Sequence, residues 1–522
     1  MKKSLLTLFV TAVLTVSSFG QNSIDNPFFD HVTFRGAFGT IDWTAGWANF
    51  DPQNTVYPAT TVVVNAGDIS VNTTWTNDQV YLLNGWVYVT SGTTLTIQPG
   101  TIIRGDKANK GALIIEPGAK IMAQGTLAQP IVFTSNQAPG DRTYGDWGGL
   151  IVAGKARVNK VSPQIEGGPR TTYGGDNDAD NSGVLTYIRV EFPGIAFQPD
   201  KEINGITFGG VGSGTFVSHL QVSYCGDDSF EWFGGTVNAK YLIALRGWDD
   251  DFDTDYGYRG MVQYAVSLRD PDIADPGSGS NGFEADNDGS GSGEEPISQP
   301  IFSNVSIFGP LVTPATEINS NYLRAMHLRR NTRINIFNAI FTGYPVGLYI
   351  EGPSVTNAQG GLLRVENTIL AGMTTNFGVK ASDLWTLEEE TAWFNDASHK
   401  NQLMGAVGDL QITNPFNLTA PNFMPLAGSP VMSGSYWAST GIPTIRTYES
   451  LMVYPNPASH DIYFGGDVRV KEVRIINLTG QVVKETLLDS NQVSVGELNP
   501  GLYFIQAVLE NGKTATQKFY KQ

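Results

Sequence analysis

Three segments in the middle of the chain share one feature, an aromatic residue followed at once by a carboxylate. They are 229–232 (SFEW), 251–255 (DFDTD) and 282–286 (GFEAD). Phe230 and Phe252 are 22 residues apart, and Phe252 and Phe283 are 31 apart, because the Gly/Ser/Pro-rich run 275–280 adds length to the second interval. A motif that returns at intervals of about 20 to 50 residues is typical of a solenoid, in which each repeat forms one coil of the chain.

If each segment lies on a β-strand, alternation sends the three phenylalanines inward and the carboxylates Glu231, Asp253 and Glu284 outward. We call these three carboxylates the acidic row. Asp255 and Asp286 would emerge on the same outer face, two residues further along their strands. Adjacent strands lie about 4.8 Å apart, so like charges in such a row repel one another unless a proton or a cation neutralises them. The acidic row is therefore the predicted position of a site.

A second set of repeats precedes the acidic row. Residues 95–103 (LTIQPGTII) are echoed by 113–121 (LIIEPGAKI), and 130–135 (PIVFTS) and 145–152 (GDWGGLIV) follow. Alternating apolar residues joined by Pro-Gly corners predict short strands and tight turns. The order of these motifs resembles that of bacterial secreted parallel β-helix proteins of the pectate-lyase-like superfamily. The resemblance implies an all-β, right-handed parallel β-helix, predicted here over residues 63–435.

Asparagines at matching places in three later repeats support the same architecture. Asn304, Asn338 and Asn367 each stand before an apolar strand. Buried asparagines at a turn can stack along a β-helix, with each amide donating to the next, so that no polar group lacks a partner. We therefore expect a ladder of amide-to-amide hydrogen bonds. Further along, a helix is predicted from an N-cap at Ser382 to about Phe394.

The N-terminal residues predict export and a cap. Residues 1–20 combine two early lysines, an apolar run and small residues before Gln21, which is the pattern of a secretory signal peptide. Residues 21–62 are rich in aromatic and turn residues, and we expect them to cap the open end of the solenoid. No other run is long and apolar enough to predict a transmembrane segment.

The C-terminal residues predict a separate domain. After a linker at 436–449, residues 450–522 contain the strings 454–457 (YPNP), 473–481 (VRIINLTGQ) and 498–503 (LNPGLY), which predict a small Ig-like β-sandwich. These strings resemble the type A sorting domain of the type IX secretion system of Bacteroidetes. The resemblance implies that the type IX machinery is a partner, and that the protein is secreted to the outer-membrane surface or the extracellular space. An ordinary Ig-like accessory module is the alternative.

The overall charge and the cysteine count narrow the function classes. The net charge of -17 disfavours nucleic acid and anionic lipid as partners and favours cations. The single cysteine, Cys225, excludes an internal disulfide, so stability must come from a large core. The five histidines have no metal-ligand spacing, and no phosphate-binding loop or nucleophile motif is present. We expect a monomer with no organic cofactor.

The acidic region supplies candidate ligands for a cation. Calcium takes six to eight oxygen ligands in flexible geometry, which stacked turns rich in Asp and Gly can provide. The candidate metal ligands are Asp228, Glu231, Asp251, Asp253, Asp255, Glu284 and Asp286. A purely solvated acidic surface and a substrate-binding or catalytic site are the other two interpretations, and the sequence leaves all three open.

Two functions follow from these interpretations. The sequence favours a non-enzymatic protein that uses the solenoid for adhesion or for contact with a cell-surface glycan. The alternative is a polysaccharide-degrading enzyme, either a hydrolase with Glu231, Asp253 and Glu284 as candidate catalytic carboxylates or a lyase with an Arg or Lys base. Arg269 lies near in sequence, but an arginine in this setting is more often paired with its acidic neighbours.

Overall fold

The computed structural model describes residues 23–197, 203–439, 451–454, 456–465, 469–478, 480–488, 491–510 and 514–521. The predicted signal peptide and most of the predicted linker therefore lie outside the described residues. Its regular secondary structure is almost entirely β-strand, as the sequence predicts.

Twenty-six strands form one parallel sheet that winds around a common core. In chain order they are β1 (Val62–Ile69), β2 (Thr73–Trp75), β3 (Val80–Val89), β4 (Thr94–Ile97), β5 (Ile102–Gly105), β6 (Ala112–Ile115), β7 (Lys120–Gln124), β8 (Ile131–Ser135), β9 (Gly149–Ala153), β10 (Gly183–Glu191), β11 (Ile206–Gly209), β12 (Phe216–Ser223), β13 (Phe230–Phe233), β14 (Asn238–Leu245), β15 (Phe252–Asp255), β16 (Met261–Leu268), β17 (Ser280–Ala285), β18 (Ile301–Phe308), β19 (Tyr322–Leu328), β20 (Asn335–Phe337), β21 (Ile340–Thr342), β22 (Val346–Ile350), β23 (Arg364–Glu366), β24 (Ile369–Ala371), β25 (Thr375–Gly378) and β26 (Gln402–Met404). This is the predicted parallel β-helix.

The strands stack in three columns, which are the three faces of the solenoid. One column runs through β9, β11, β13, β15, β17, β19 and β22, and we call it the acidic face because it carries the acidic row. The other two columns are formed by the first and second halves of longer strands such as β12, β14 and β16, which pair along both halves with the next coil. Apolar side chains from all three faces fill the space between them.

A column of left-handed residues makes the sharp bend between the two halves of each long strand. Tyr187, His219, Tyr241 and Tyr264 have φ between 50° and 63°, and Asn304, Asn338 and Asn367 continue the column at 53° to 56°. The rings stack, with centroids 4.3 Å apart for Tyr187 and His219 and for His219 and Tyr241. Aromatic stacking along this column therefore gives way to buried asparagines in the later coils.

The predicted hydrogen bonds within the asparagine ladder are wrong. The amide of Asn304 donates to the carbonyls of Phe34 and Gly36, at 3.0 and 3.2 Å, and that of Asn367 donates to the carbonyl of Gly434 at 3.0 Å. The left-handed backbone turns these amides outward, where segments from both ends of the chain supply the partners. Asparagine tolerates this conformation better than most residues do.

The N-terminal segment lies along the side of the solenoid, although the sequence predicts a cap over its open end. We call residues 23–58 the N-terminal strap. Later residues of the strap contact earlier coils of the solenoid. The contacts are Gly36 with Asn338, Trp43 with Tyr241, Trp47 with Tyr187, and Tyr57 with Glu191. The strap takes this path because its tryptophans bury themselves on the apolar outer side of the left-handed column.

Two short helices cover the other end of the solenoid. They are α1 (Pro353–Gln359) and α2 (Leu387–Phe394). Thr386 caps α2 by accepting from the backbone N–H of Glu389, so the helix begins four residues later than the predicted N-cap at Ser382. A hairpin of β27 (Ile412–Asn414) and β28 (Asn422–Pro425) follows. Neither described helix is long and apolar enough to cross a membrane.

The C-terminal domain consists of two small antiparallel sheets that pack around their own core, as predicted for a β-sandwich. Its strands are β29 (Met452–Tyr454), β30 (Asp461–Gly465), β31 (Val470–Asn477), β32 (Val482–Leu487), β33 (Gln492–Ser494), β34 (Gly501–Leu509) and β35 (Thr514–Lys521).

Candidate functional site

The predicted alternation of aromatic and acidic residues is present on the acidic face. Phe230, Phe252 and Phe283 are fully buried in the core and are register partners on successive coils. The ring centroids of Phe230 and Phe252 are 5.7 Å apart, and those of Phe252 and Phe283 are 5.3 Å apart. The packed rings hold three consecutive strands in one register.

That register also aligns the acidic row. Glu231 pairs with Asp253, and Asp253 pairs with Glu284. On the next two coils the same column continues with His327 and Tyr349. A row of three carboxylates therefore ends against a histidine, which the sequence analysis did not place there.

Basic side chains neutralise the Glu284 end of the row. The guanidinium of Arg329 forms an ion pair with Glu284, and its Nε donates to Asp286 at 2.9 Å. Arg330 Nη1 is 2.7 Å from the other oxygen of Asp286, and His327 Nδ1 is 3.3 Å from Glu284. Glu284 and Asp286, both predicted metal ligands, are thus held in ion pairs.

The carboxylates at the other end of the row form no ion pair among the described residues. Asp228, Glu231 and Asp253 each offer a carboxylate oxygen, and these atoms lie within 4.8 Å of one another. Asp228 accepts a hydrogen bond from the backbone N–H of Asp250 at 2.8 Å, and Glu231 accepts one from the amide of Asn204. We call Asp228, Glu231 and Asp253 the first triad.

Burial and mutual repulsion act on these carboxylates together. Asp228 is 7% exposed and Glu231 is 5% exposed. Burial raises the pKa of all three groups of the first triad well above the usual range, and neighbouring carboxylates raise these pKa values further. Burial also raises the pKa of Asp255 to about 6 and that of Asp286 to about 8. The site therefore favours proton or cation uptake.

A pocket of about 140 Å³ lies beside the first triad. Its polar lining consists of Asp228, Asp249, Asp250, Asp253, Ser278, Asn281, Glu284, Arg324, His327 and Arg329. Two buried acceptor oxygens in this lining, Oδ1 of Asp253 and Oδ1 of Asn281, have no hydrogen-bond donor among the described residues. The unmet groups at this end of the pocket are acceptors, which a cation would satisfy.

Two of the predicted ligands lie apart from the first triad. Asp251 is fully buried and forms an ion pair with Arg269, whose Nε is 3.0 Å from the carboxylate. Asp255 accepts from the backbone N–H of Tyr256 at 2.6 Å. The seven predicted ligands thus separate into the three residues of the first triad, three ion-paired carboxylates and Asp255, whose partner is a backbone N–H.

Sequence reasoning did not assign Asn281, Arg324, His327 and Arg329 to the site. The side chains of Arg324 and His327 flank the ring of Tyr349, with the guanidinium 4.9 Å from the ring centroid and the imidazole stacked on the ring at 5.3 Å. Both residues belong to β19, the strand that follows β17 on the acidic face. Arg324 and His327 reach the pocket because of the register between β17 and β19, and the sequence alone does not give that register.

Comparison with known families covers most of the chain. A family profile described as a pectate-lyase like beta helix domain matches residues 67–409, and one described as a secretion system C-terminal sorting domain matches residues 452–522. No curated protein sequence matches this chain at a significant level. The sorting domain indicates secretion to the cell surface or the extracellular space, which confirms the predicted localisation. Because the first match covers more than half of the chain, the protein belongs to the family of pectate-lyase like β-helix proteins.

Proposed function

We propose that this protein is a non-enzymatic surface protein, exported as a monomer by the type IX secretion machinery, whose pocket on the acidic face binds calcium. The observation that carries the proposal is the first triad. Its three carboxylate oxygens lie within 4.8 Å of one another, and no basic side chain pairs with them among the described residues.

Repulsion among the three carboxylates of the first triad favours the binding of a cation. Two like charges 4.8 Å apart repel by about 3 kcal/mol at an effective dielectric constant of about 20. Three ionised carboxylates contribute three such pairs, so the folded protein gains stability from any positive charge that enters. The buried acceptor oxygens of Asp253 and Asn281 point to the same requirement. Calcium suits the site because it accepts irregular sets of carboxylate and amide oxygens, whereas magnesium demands near-octahedral geometry.

The position of the pocket supports a role in surface contact. It lies on the outer side of a solenoid face, with residues of the pocket contributed by the coils of β13, β15, β17 and β19. A calcium ion held there keeps coordination positions for oxygens from outside the protein, because calcium takes six to eight ligands. Hydroxyl groups of a cell-surface glycan are suitable ligands, and the protein would then act in adhesion.

Arg324 favours a second candidate function, polysaccharide cleavage. Its guanidinium lines the same pocket as Asp253 and Glu284 and makes no ion pair among the described residues. Glu231 and Asp253 are adjacent carboxylates with raised pKa values, and such groups can hold a proton for general acid catalysis near neutral pH. A hydrolase or lyase would use these groups together.

Thermal unfolding of the full chain tests the first proposal. We expect calcium to raise Tm by a few degrees over the value in chelator, since a ligand at 100 times its Kd stabilises the folded state by about 2.7 kcal/mol. The calcium-dependent rise should be smaller in Glu231→Gln and Asp253→Asn than in the parent protein. Asp176→Asn is the control, because Asp176 is exposed and does not line the pocket. If calcium leaves Tm of the parent protein unchanged, the proposal is wrong.

Activity assays separate the second candidate function from the first. The parent protein and the variants Glu231→Gln and Asp253→Asn should be incubated with a panel of neutral and acidic polysaccharides, and the release of reducing ends and unsaturated products should be measured. We expect no turnover by the parent protein. Cleavage that both variants abolish, while their folding is intact, would favour the enzyme.

A further inference from the structure

A second group of carboxylates lies against the first triad and shares one of its members. Asp227, Asp228 and Asp249 each offer an oxygen, and these atoms also lie within 4.8 Å of one another. We call them the second triad. From this arrangement we propose that the pocket binds two divalent cations, bridged by the carboxylate of Asp228. The inference rests on the proposed cation-binding function and extends it to a paired site.

The fold places Asp228 between the two groups. Asp227 and Asp228 precede β13, and Asp249 precedes β15 on the next coil. The backbone N–H of Asp250 donates to Oδ1 of Asp228 at 2.8 Å, which fixes this carboxylate against the next coil. The hydroxyl of Ser278 donates to Oδ2 of Asp249 at 2.7 Å, which orients the second triad from the loop before β17. Each triad therefore has a defined position.

The number of charges decides between one cation and two. The two triads together contain five carboxylates, which carry five negative charges when ionised. Asp228, Glu231, Asp249 and Asp253 form no ion pair among the described residues. One divalent cation cancels two of these charges and leaves the repulsion within the other triad. Two divalent cations cancel four of the five charges and relieve the repulsion within both triads. A bridging carboxylate can serve two metal ions about 3.5 to 4 Å apart, a spacing found in two-metal sites.

Asn281 provides an independent observation that a ligand belongs here. Its side chain is 2% exposed and lines the pocket together with Asp249 and Asp253, one residue from each triad. The amide nitrogen is directed to Asp250, at 3.4 Å, so the orientation of the amide is set. The amide oxygen has no donor among the described residues. An amide oxygen is a normal calcium ligand, and this one belongs to a residue that lines the pocket both cations would share.

The stoichiometry of calcium binding to the full chain tests the inference directly. We expect isothermal titration calorimetry and native mass spectrometry to show two calcium ions per chain. A single ion would overturn the paired site but leave the proposed function intact, whereas no binding would overturn both. The parent protein alone decides the question, so the test does not depend on how any variant folds.

Variants then assign the two positions. Glu231→Gln should remove the ion at the first triad and Asp249→Asn the ion at the second, so that each variant binds one ion. Asp228→Asn should raise Kd at both positions by more than about tenfold, because both lose the same charged ligand. Asp176→Asn should bind two ions. If Asp228→Asn lost only one ion with the other unaffected, Asp228 would not be the bridge.

Discussion

Arg269 shows how one buried side chain can organise the acidic region from inside. Its guanidinium is fully buried and pairs with Asp251. The same group donates to the backbone carbonyls of Gly247 at 3.0 Å, and also to those of Asp249 and Asn281. It therefore binds the backbone beside both triads and beside Asn281. The three carbonyls would lack these hydrogen bonds without it.

The first prediction concerns the loss of this residue. We expect Arg269→Met to lower the free energy of unfolding by about 3 to 5 kcal/mol, since removal of one member of a buried ion pair leaves the other charge uncompensated. Chemical unfolding in urea measures the change. Arg269→Met combined with Asp251→Leu is the matched control, because it removes both charges and should recover part of the loss. A cost below about 1 kcal/mol for the single variant would contradict this role.

The structure also shows why Asp251, a predicted metal ligand, lies apart from the first triad. Alternation applies within a strand, and β15 begins at Phe252, one residue after Asp251. The side chain of Asp251 accepts from Arg269 and from the hydroxyl of Ser267, which lies on β16. Nothing in the local sequence marks that partner, because the contact depends on the path of the chain around the coil.

At the scale of elements, local periodicity predicted the strands well and the segments that pack on them less well. The spacing of Phe230, Phe252 and Phe283 predicted their register, since each coil repeats the same in-out pattern. The path of the N-terminal strap could not be predicted in the same way. It follows an apolar outer surface formed by Tyr241, Ile243 and their neighbours from several coils, and that surface exists only after the coils have stacked.

The second prediction concerns α2, one of the two helices that cover the other end of the solenoid. Glu390 of α2 is fully buried, and burial raises its pKa from 4.5 to about 9. Because the folded state holds this proton more tightly than the unfolded state, its contribution to stability is complete below about pH 4.5 and is lost as the pH rises toward 9. At pH 7 the loss is about 3 kcal/mol.

Glu390→Gln should remove this pH dependence, since glutamine has no proton to lose. We expect the variant to be more stable than the parent at pH 8 and similar to it at pH 4.5. Urea unfolding at the two pH values measures both differences. Glu388→Gln is the control, because Glu388 lies in the same helix and is exposed. An equal effect of the two substitutions at pH 8 would contradict the prediction.

At the scale of the whole molecule, the pocket is a product of coil stacking. The sequence placed Asp228, Glu231 and Asp253 in the candidate site because two adjacent coils repeat one motif, and the structure brings these three together. The sequence could not show that Arg329 neutralises Glu284, because the two residues are 45 positions apart across a long insertion. Long insertions hide the period, so the partner coil cannot be identified from spacing alone.

The last prediction concerns the pH profile of the whole protein with and without calcium. Burial raises the pKa of Asp228, Glu231 and Asp253, and it raises that of Asp286 to about 8. In chelator the folded state therefore binds more protons than the unfolded state, and stability should fall as the pH rises from about 4 to 8.

Calcium should reverse this trend, because it binds the ionised carboxylates and competes with protons for them. We therefore expect the difference in Tm between calcium and chelator to be near zero at pH 4.5 and to grow steadily toward pH 8. Thermal unfolding at four or five pH values measures the difference. In Glu231→Gln and Asp253→Asn the profile in chelator should be flatter and the calcium effect smaller. Parallel profiles in calcium and chelator would mean that the carboxylates of the acidic face do not exchange protons for a cation.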